Sequence, residues 1–343
     1  MLKGKHITFV LVFVLVLATL VSVTGAGAAP KSALAVSLSA NKAIFSASDA
    51  VMVNVTISNP GKQAIKVLKW FTPADEVEEP LFTVTRDGAS VNYVGAHYKR
   101  PAPTGSDYIT IKSGESLTRT IDLGLYYDLS ESGVYELEYN ADVTALSSNK
   151  LQLTVEGRSG APIADLASPL AVTGSTSFNK CTTSQQSDLV GARSNASTYA
   201  ANALSYLNSH NSGTTRYTTW FGVFDSGRYN TVTSHYSAIS NAMDTASMTF
   251  DCGCKKKYYA YVYPNQPYTI YLCSVFWTAP ATGTDSKAGT LIHETSHFNV
   301  VASTDDWAYG QSAAKSLAIS DPVKAIDNAD SHEYFAENTP TLP

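Results

Sequence analysis

Two textures of apolar and polar positions divide the chain. Between about residues 36 and 156, apolar residues alternate with polar ones in Val51-Met52-Val53-Asn54-Val55-Thr56-Ile57, Leu81-Phe82-Thr83-Val84-Thr85, Tyr108-Ile109-Thr110-Ile111 and Leu151-Gln152-Leu153-Thr154-Val155. A period of two puts every second side chain on one face, the mark of a half-buried strand. Asn59-Pro60-Gly61, Asp87-Gly88, Ser113-Gly114 and Ser132-Gly133 are turn signals between the runs. Short strands at this spacing predict an all-β antiparallel sandwich of immunoglobulin-like type. Within it, His97 reads as a loop residue and Asp75-Glu76-Val77-Glu78-Glu79 as a solvated loop, so this part carries no catalytic set.

Further along the period becomes helical. Leu189, Val190, Ala196, Tyr199, Ala200, Ala203, Leu204 and Leu207 predict a helix over Ser187–Ser209, with Ser184 and Gln185 as capping material. A second helix is expected over Ser226–Ala242, another over Gln311–Ile319, and one more starting at Val323 after the break at Asp321-Pro322. Tyr258–Tyr263 and Thr269–Cys273 predict a short hairpin about Pro264-Asn265-Gln266-Pro267. This part is therefore expected to be α+β, mainly helical with a small β-sheet. His210, His235 and His332 read as scaffold, not ligands.

The ends and joints add a layout. Lys3 and Lys5, the apolar run Ile7–Val23 and the small residues Ala26-Gly27-Ala28 predict a secretory signal over residues 1–28. No second apolar stretch of membrane length follows, so no membrane association is expected once the signal is removed. Gly157-Arg158-Ser159-Gly160-Ala161-Pro162 and Ser168-Pro169 make residues 157–175 an exposed, cleavable linker between a β-part (29–156) and a C-terminal part (176–343). The 343 residues, 44% hydrophobic, suffice for two cores, and a net charge of −5 gives no nucleic-acid surface. Cys181, Cys252, Cys254 and Cys273 all lie in the C-terminal half. Cys252-Gly253-Cys254 is too tight for a zinc knuckle, so disulfides in a secreted, extracellular protein are expected, with three pairings open.

The chemistry sits in His293-Glu294-Thr295-Ser296-His297. On a helix, residues four apart share a face, so both imidazoles can point at one metal ion while Glu294 reaches a water on it. Leu291, Ile292 and Phe298 bracket the motif and place its helix in a core, where such polar residues need a task. A third ligand is available in Asp306 or the adjacent Asp305, which spacing alone does not separate. A structural site would offer a fourth protein ligand, and no strong candidate stands out.

With Arg216 to Gly222, Tyr261 to Asn265, Gly283 to Ser286, His293 to Phe298, Asp306 to Gly310 and Asn328 to Asn338, the stretch from about Phe178 to Pro340 resembles the aspzincins, the deuterolysin family of zinc endopeptidases. Within that family it is most similar to the peptidyl-Lys metalloendopeptidases. The resemblance implies a zincin-like protease fold and one Zn2+ per chain held by His293, His297 and Asp306. It implies Glu294 as general base, Tyr309 as hydrogen-bond donor to the oxyanion, and Asp330 with Glu333 as an acidic S1′ pocket for a substrate Lys. It implies the disulfides Cys181–Cys252 and Cys254–Cys273. Ser303 stands where the family commonly has Gly. A folded part joined by a cleavable linker suggests a zymogen, and the resemblance agrees, because the family's mature enzymes begin near Phe178. The expectation is thus a monomeric zinc endopeptidase acting on protein and peptide substrates, with residues 29 to about 172 as a propeptide that inhibits it. The competing expectations are a broad-specificity deuterolysin-like protease and a secreted binding or toxin-like protein with a structural zinc.

Overall fold

The computed structural model describes residues 34–141, 146–157 and 174–343. The expected signal segment and most of the expected linker lie outside these residues. The chain from residue 34 to 157 forms β1 (Ala35–Ala40), β2 (Ile44–Phe45), β3 (Met52–Ser58), β4 (Ile65–Leu68), β5 (Phe82–Arg86), β6 (Ala89–Ser90), β7 (His97–Lys99), β8 (Tyr108–Ile111), β9 (Ser116–Asp122), β10 (Gly133–Ala141), β11 (Leu146–Ser147) and β12 (Leu151–Val155). After it come β13 (Thr176–Asn179), α1 (Thr183–His210), α2 (Thr215–Phe221), α3 (Ser226–Thr245), β14 (Met248–Asp251), β15 (Ala260–Val262), β16 (Thr269–Leu272), α4 (Lys287–His297), α5 (Gln311–Ser320), α6 (Pro322–Ala325) and α7 (Ala329–Glu337). The N-terminal part is β-rich and the C-terminal part mainly helical, as the two textures predict.

The alternation does its expected work in the β-rich part. One sheet runs β1-β3-β9 and another β2-β12-β10-β5-β6. Val53, Val55 and Ile57 of β3 and Tyr135, Leu137 and Tyr139 of β10 turn inward, and residues of both sheets share one apolar core. The short strand β7 belongs to neither. It pairs antiparallel with β15, in the register His97–Val262, Tyr98–Tyr261 and Lys99–Ala260, and becomes the edge of the C-terminal sheet β13-β14-β16-β15-β7. Two expectations fail here. His97 is no loop residue: it opens β7 and is 4% exposed. In the acidic run expected to be solvated, Glu79 is 3% exposed. Local sequence marks neither, because their partners lie in the other half of the chain.

In the C-terminal part α1 starts earlier than expected because Thr182 is its N-cap. The Thr182 side chain accepts from the Gln185 amide while Gln185 accepts from the Thr182 amide, a reciprocal capping box. Leu189, Ala192, Ala196, Ala200, Ala203 and Leu207 form its buried stripe, and the run of small side chains lets α3 and α4 pack close. β15 and β16 form the expected hairpin, Ala260 opposite Leu272 and Tyr261 opposite Tyr271. Cys181 is bonded to Cys252 and Cys254 to Cys273, tying the start of α1 to β14 and the chain after β14 to the end of β16. Against α4 lies α7, and Gly289 makes that approach possible: a Cβ there would stand 2.1 Å from Glu337 Oε1 and 2.9 Å from Glu333 Cγ. Among the described residues, no helix is long and apolar enough to cross a membrane.

Candidate active site

Helix α4 begins at the N-cap Ser286, whose side chain accepts from the Gly289 amide, and all its residues from Ala288 to His297 are buried. Its last turn carries His293 and His297. After Phe298 the chain leaves the helix and returns, with Ser303 at φ 52°, to bring Thr304 and Asp306 back over that turn. His297 Nδ1 lies 2.6 Å from the Thr304 carbonyl, and the Ser296 and Thr304 hydroxyls are 2.6 Å apart. Asp306 Oδ1 is 3.3 Å from His293 Nε2, and its Oδ2 is 3.5 Å from His297 Nε2. Asp305 points elsewhere. Its amide and carbonyl bond the Asp327 and Ala329 backbone, and its carboxylate is 3.8 Å from His97 Nε2.

The two Nε2 atoms and both Asp306 oxygens are buried without a hydrogen-bond partner. Orphaned polar atoms are rare in folded interiors because desolvation is costly. Each imidazole nitrogen lies within 3.5 Å of an Asp306 oxygen, and two imidazoles with a carboxylate are a donor set for zinc. The supports behind the two imidazoles fit too. The Thr304 carbonyl fixes the His297 ring, and Asp330 Oδ1 stands 2.8 Å from His293 Nδ1. Asp330 also accepts from the Gly310 amide at 2.6 Å.

Glu294 is buried beside these side chains. Burial pushes its carboxyl up to about 8, Asp306 adds to this, and His293 and Lys99 oppose it. The Lys99 backbone amide faces this carboxylate without closing a well-formed hydrogen bond.

A few ångströms away, the buried Lys99 ammonium of β7 fills an acidic pocket. Its Nζ is 2.6 Å from Glu333 Oε2, 3.5 Å from Asp330 Oδ1 and 3.6 Å from Asp285 Oδ1. The Tyr259 and Tyr334 rings lie 4.8 and 5.8 Å from it. Burial disfavours the ammonium, but the three carboxylates outweigh burial and hold it charged. Tyr309 is engaged as well: Arg100 Nη1 donates to its hydroxyl at 2.6 Å, and the hydroxyl donates to Glu79 at 2.8 Å. Arg100 and Glu79 also pair directly.

The structure thus gathers His293, Glu294, His297, Asp306, Tyr309, Asp330 and Glu333 in one cleft. The four cysteines lie outside it, and so do His210, His235 and His332. Five residues of the cleft were missed in the sequence: Glu79, His97, Lys99, Arg100 and Asp285. Asp285 had a signal, since it immediately precedes the N-cap of the motif helix. The other four belong to the β-rich part, where no local pattern marks them.

A family model described as lysine-specific metallo-endopeptidase, of the aspzincins, matches residues 206–337. A protein of Aeromonas hydrophila named extracellular protease is 47% identical over 310 residues, covering 85% of this chain and 89% of its own. A peptidyl-Lys metalloendopeptidase of Grifola frondosa is 41% identical over 307 residues, covering 84% of this chain and 88% of its own. A solved structure titled zinc peptidase from Grifola frondosa is 55% identical and covers 48% of this chain and all of its own, with a TM-score of 0.46.

Proposed function

Since the chain belongs to the aspzincin family and is a metalloendopeptidase, we propose that it is a secreted zinc endopeptidase, made as a zymogen, that cleaves the peptide bond on the amino side of lysine. The observation that carries the specificity is Lys99. An extended segment of the chain itself lies along the edge strand β15, as a peptide substrate would. It places a lysine ammonium among Asp285, Asp330 and Glu333 and turns that lysine's amide nitrogen toward Glu294. A compact, enclosed anionic site suits the point charge of Lys over the wider, planar guanidinium of Arg.

In this reading His293, His297 and Asp306 hold one zinc ion, which when bound supplies Lewis-acid activation of water and of the substrate carbonyl. Glu294 takes the proton of the attacking water and passes it to the leaving amine. Its burial, which raises it toward neutrality, suits both halves of that exchange. The Tyr309 hydroxyl, once released from Arg100 and Glu79, donates to the carbonyl oxygen as charge develops there. Asp330 holds the His293 ring while lining the lysine pocket. Residues 29–156 are the propeptide, an immunoglobulin-like domain whose strand β7 occupies the cleft, and residues 157–175 are the joint where it is cut. Secretion is supported by two disulfides and by the extracellular relative.

The test is a sequenced digest of one denatured protein by the mature C-terminal part, with and without chelator. New amino termini should begin with Lys and vanish when the metal is removed. Cleavage without regard to Lys would overturn the specificity, and cleavage unaffected by chelator would overturn the metal chemistry.

A further inference from the structure

Catalytic zinc sites keep three protein ligands and one open position, whereas four protein ligands close a site. The C-terminal part supplies three donors: His293, His297 and Asp306. The β-rich part brings a further imidazole beside two of them. An imidazole nitrogen of His97, one of His297 and a carboxylate oxygen of Asp306 all lie within 4.8 Å of one another. The His97 ring stacks on the His297 ring at 4.6 Å with 25° between planes, and it makes a T-shaped contact with Tyr93. His97 Nδ1 is buried with no hydrogen-bond partner, like the Nε2 atoms of His293 and His297.

The strand explains how the ring arrives there. Successive residues of a strand face opposite ways. Tyr98 turns to the opposite face, against Tyr258 and Tyr261, which leaves His97 and Lys99 on the cleft side. With Lys99 in the acidic pocket and its amide toward Glu294, the Tyr98–Lys99 peptide lies as a substrate would. A segment so placed needs a reason not to be cut.

We propose that His97 is a latency ligand: in the uncleaved chain its imidazole takes the coordination position that the attacking water requires. This rests on the metal site proposed above and adds its regulation. The fourth ligand is carried by the part that a cut in the linker would release, so the same ion passes from a closed to an open shell when the β-rich part leaves.

The experiment uses the full chain carrying Glu294→Gln, which prevents self-digestion, loaded with one equivalent of Co2+ and read by its visible absorption. With His97 present, the spectrum should be unmoved by added azide. His97→Gln should shift the band and let azide bind, and free imidazole should restore the parent spectrum. Lys99→Gln, which weakens docking but keeps His97, should retain the azide-resistant spectrum. Equal azide response with and without His97, or an equal opening by Lys99→Gln, would overturn the ligand role. If no form takes up stoichiometric cobalt, the metal site itself fails, and that result is distinct from the other two.

Discussion

At the scale of single residues, the cleft separates functions that look equivalent in the sequence. Asp330 and Glu333 are three apart and both reach Lys99, but Asp330 stands 2.8 Å from His293 Nδ1 whereas Glu333 stays 3.6 Å from it. Glu333→Gln is therefore expected to lower cleavage before Lys at least tenfold in kcat/KM with metal content unchanged. Asp330→Asn is expected to lower both, with metal affinity falling about 10- to 100-fold as for other lost supports of a ligand. Inductively coupled plasma analysis beside peptide kinetics separates the two. Glu294→Gln should keep its metal and lose turnover by roughly 10²-fold or more. Ser303 holds φ 52°, a conformation that favours Gly, so the family's commoner residue has a physical reason. Ser303→Gly should raise stability by up to about 1 kcal/mol, read as an upward shift of the thermal midpoint.

Elements show where sequence reading succeeds and where it stops. Strands β3, β8 and β12 and the hairpin β15–β16 lie within a residue or two of their expected places, because a period of two over several residues is a local signal. The motif helix was legible because its buried polar residues needed a purpose. Spacing could not choose between Asp305 and Asp306. The loop that turns Asp306 inward and Asp305 toward the Asp327–Ala329 backbone is a matter of tertiary path. Strand β7 was illegible for a plainer reason: three residues, all buried, have no period to read, and their partner strand lies about 160 positions away. The start of α1 was misplaced because Thr182, not Ser184, makes the capping box with Gln185. Thr182→Ala should cost about 1 kcal/mol in a denaturant titration of the C-terminal part.

Across the whole molecule, the contact between the two parts is charged as well as strand-like. Lys256 Nζ is 2.9 Å from Glu76 and 2.7 Å from Glu78, and Tyr258 donates to Glu78 at 2.7 Å. Burial raises the Glu78 carboxyl, but Arg100, Lys256 and Tyr258 outweigh it and hold the carboxyl below its usual range. A carboxyl depressed on docking binds protons less tightly when docked. Its contribution is therefore full above the ordinary carboxylate value of about 4.3 and is lost as the pH falls below that. Burial pushes the Glu79 carboxyl up, against the pull of Arg100 and the Tyr309 hydroxyl, so its share of the docking does not follow that of Glu78. After the linker is cut, gel filtration should show the two parts together at neutral pH and separating in acid, with a smaller step in Glu78→Gln, because Asp330, which Lys99 also holds down on docking, keeps its share.

Both disulfides lie on one side of residues 158–173, and neither bridges to the β-rich part. Under the proposed zymogen arrangement, a single cut there turns inhibitor and enzyme from one molecule into two, and an intramolecular restraint becomes an ordinary dissociable complex. Its grip then depends on how much of each partner is present: a crowded solution stays quiet, and dilution into a large volume sets the protease free without a second cut.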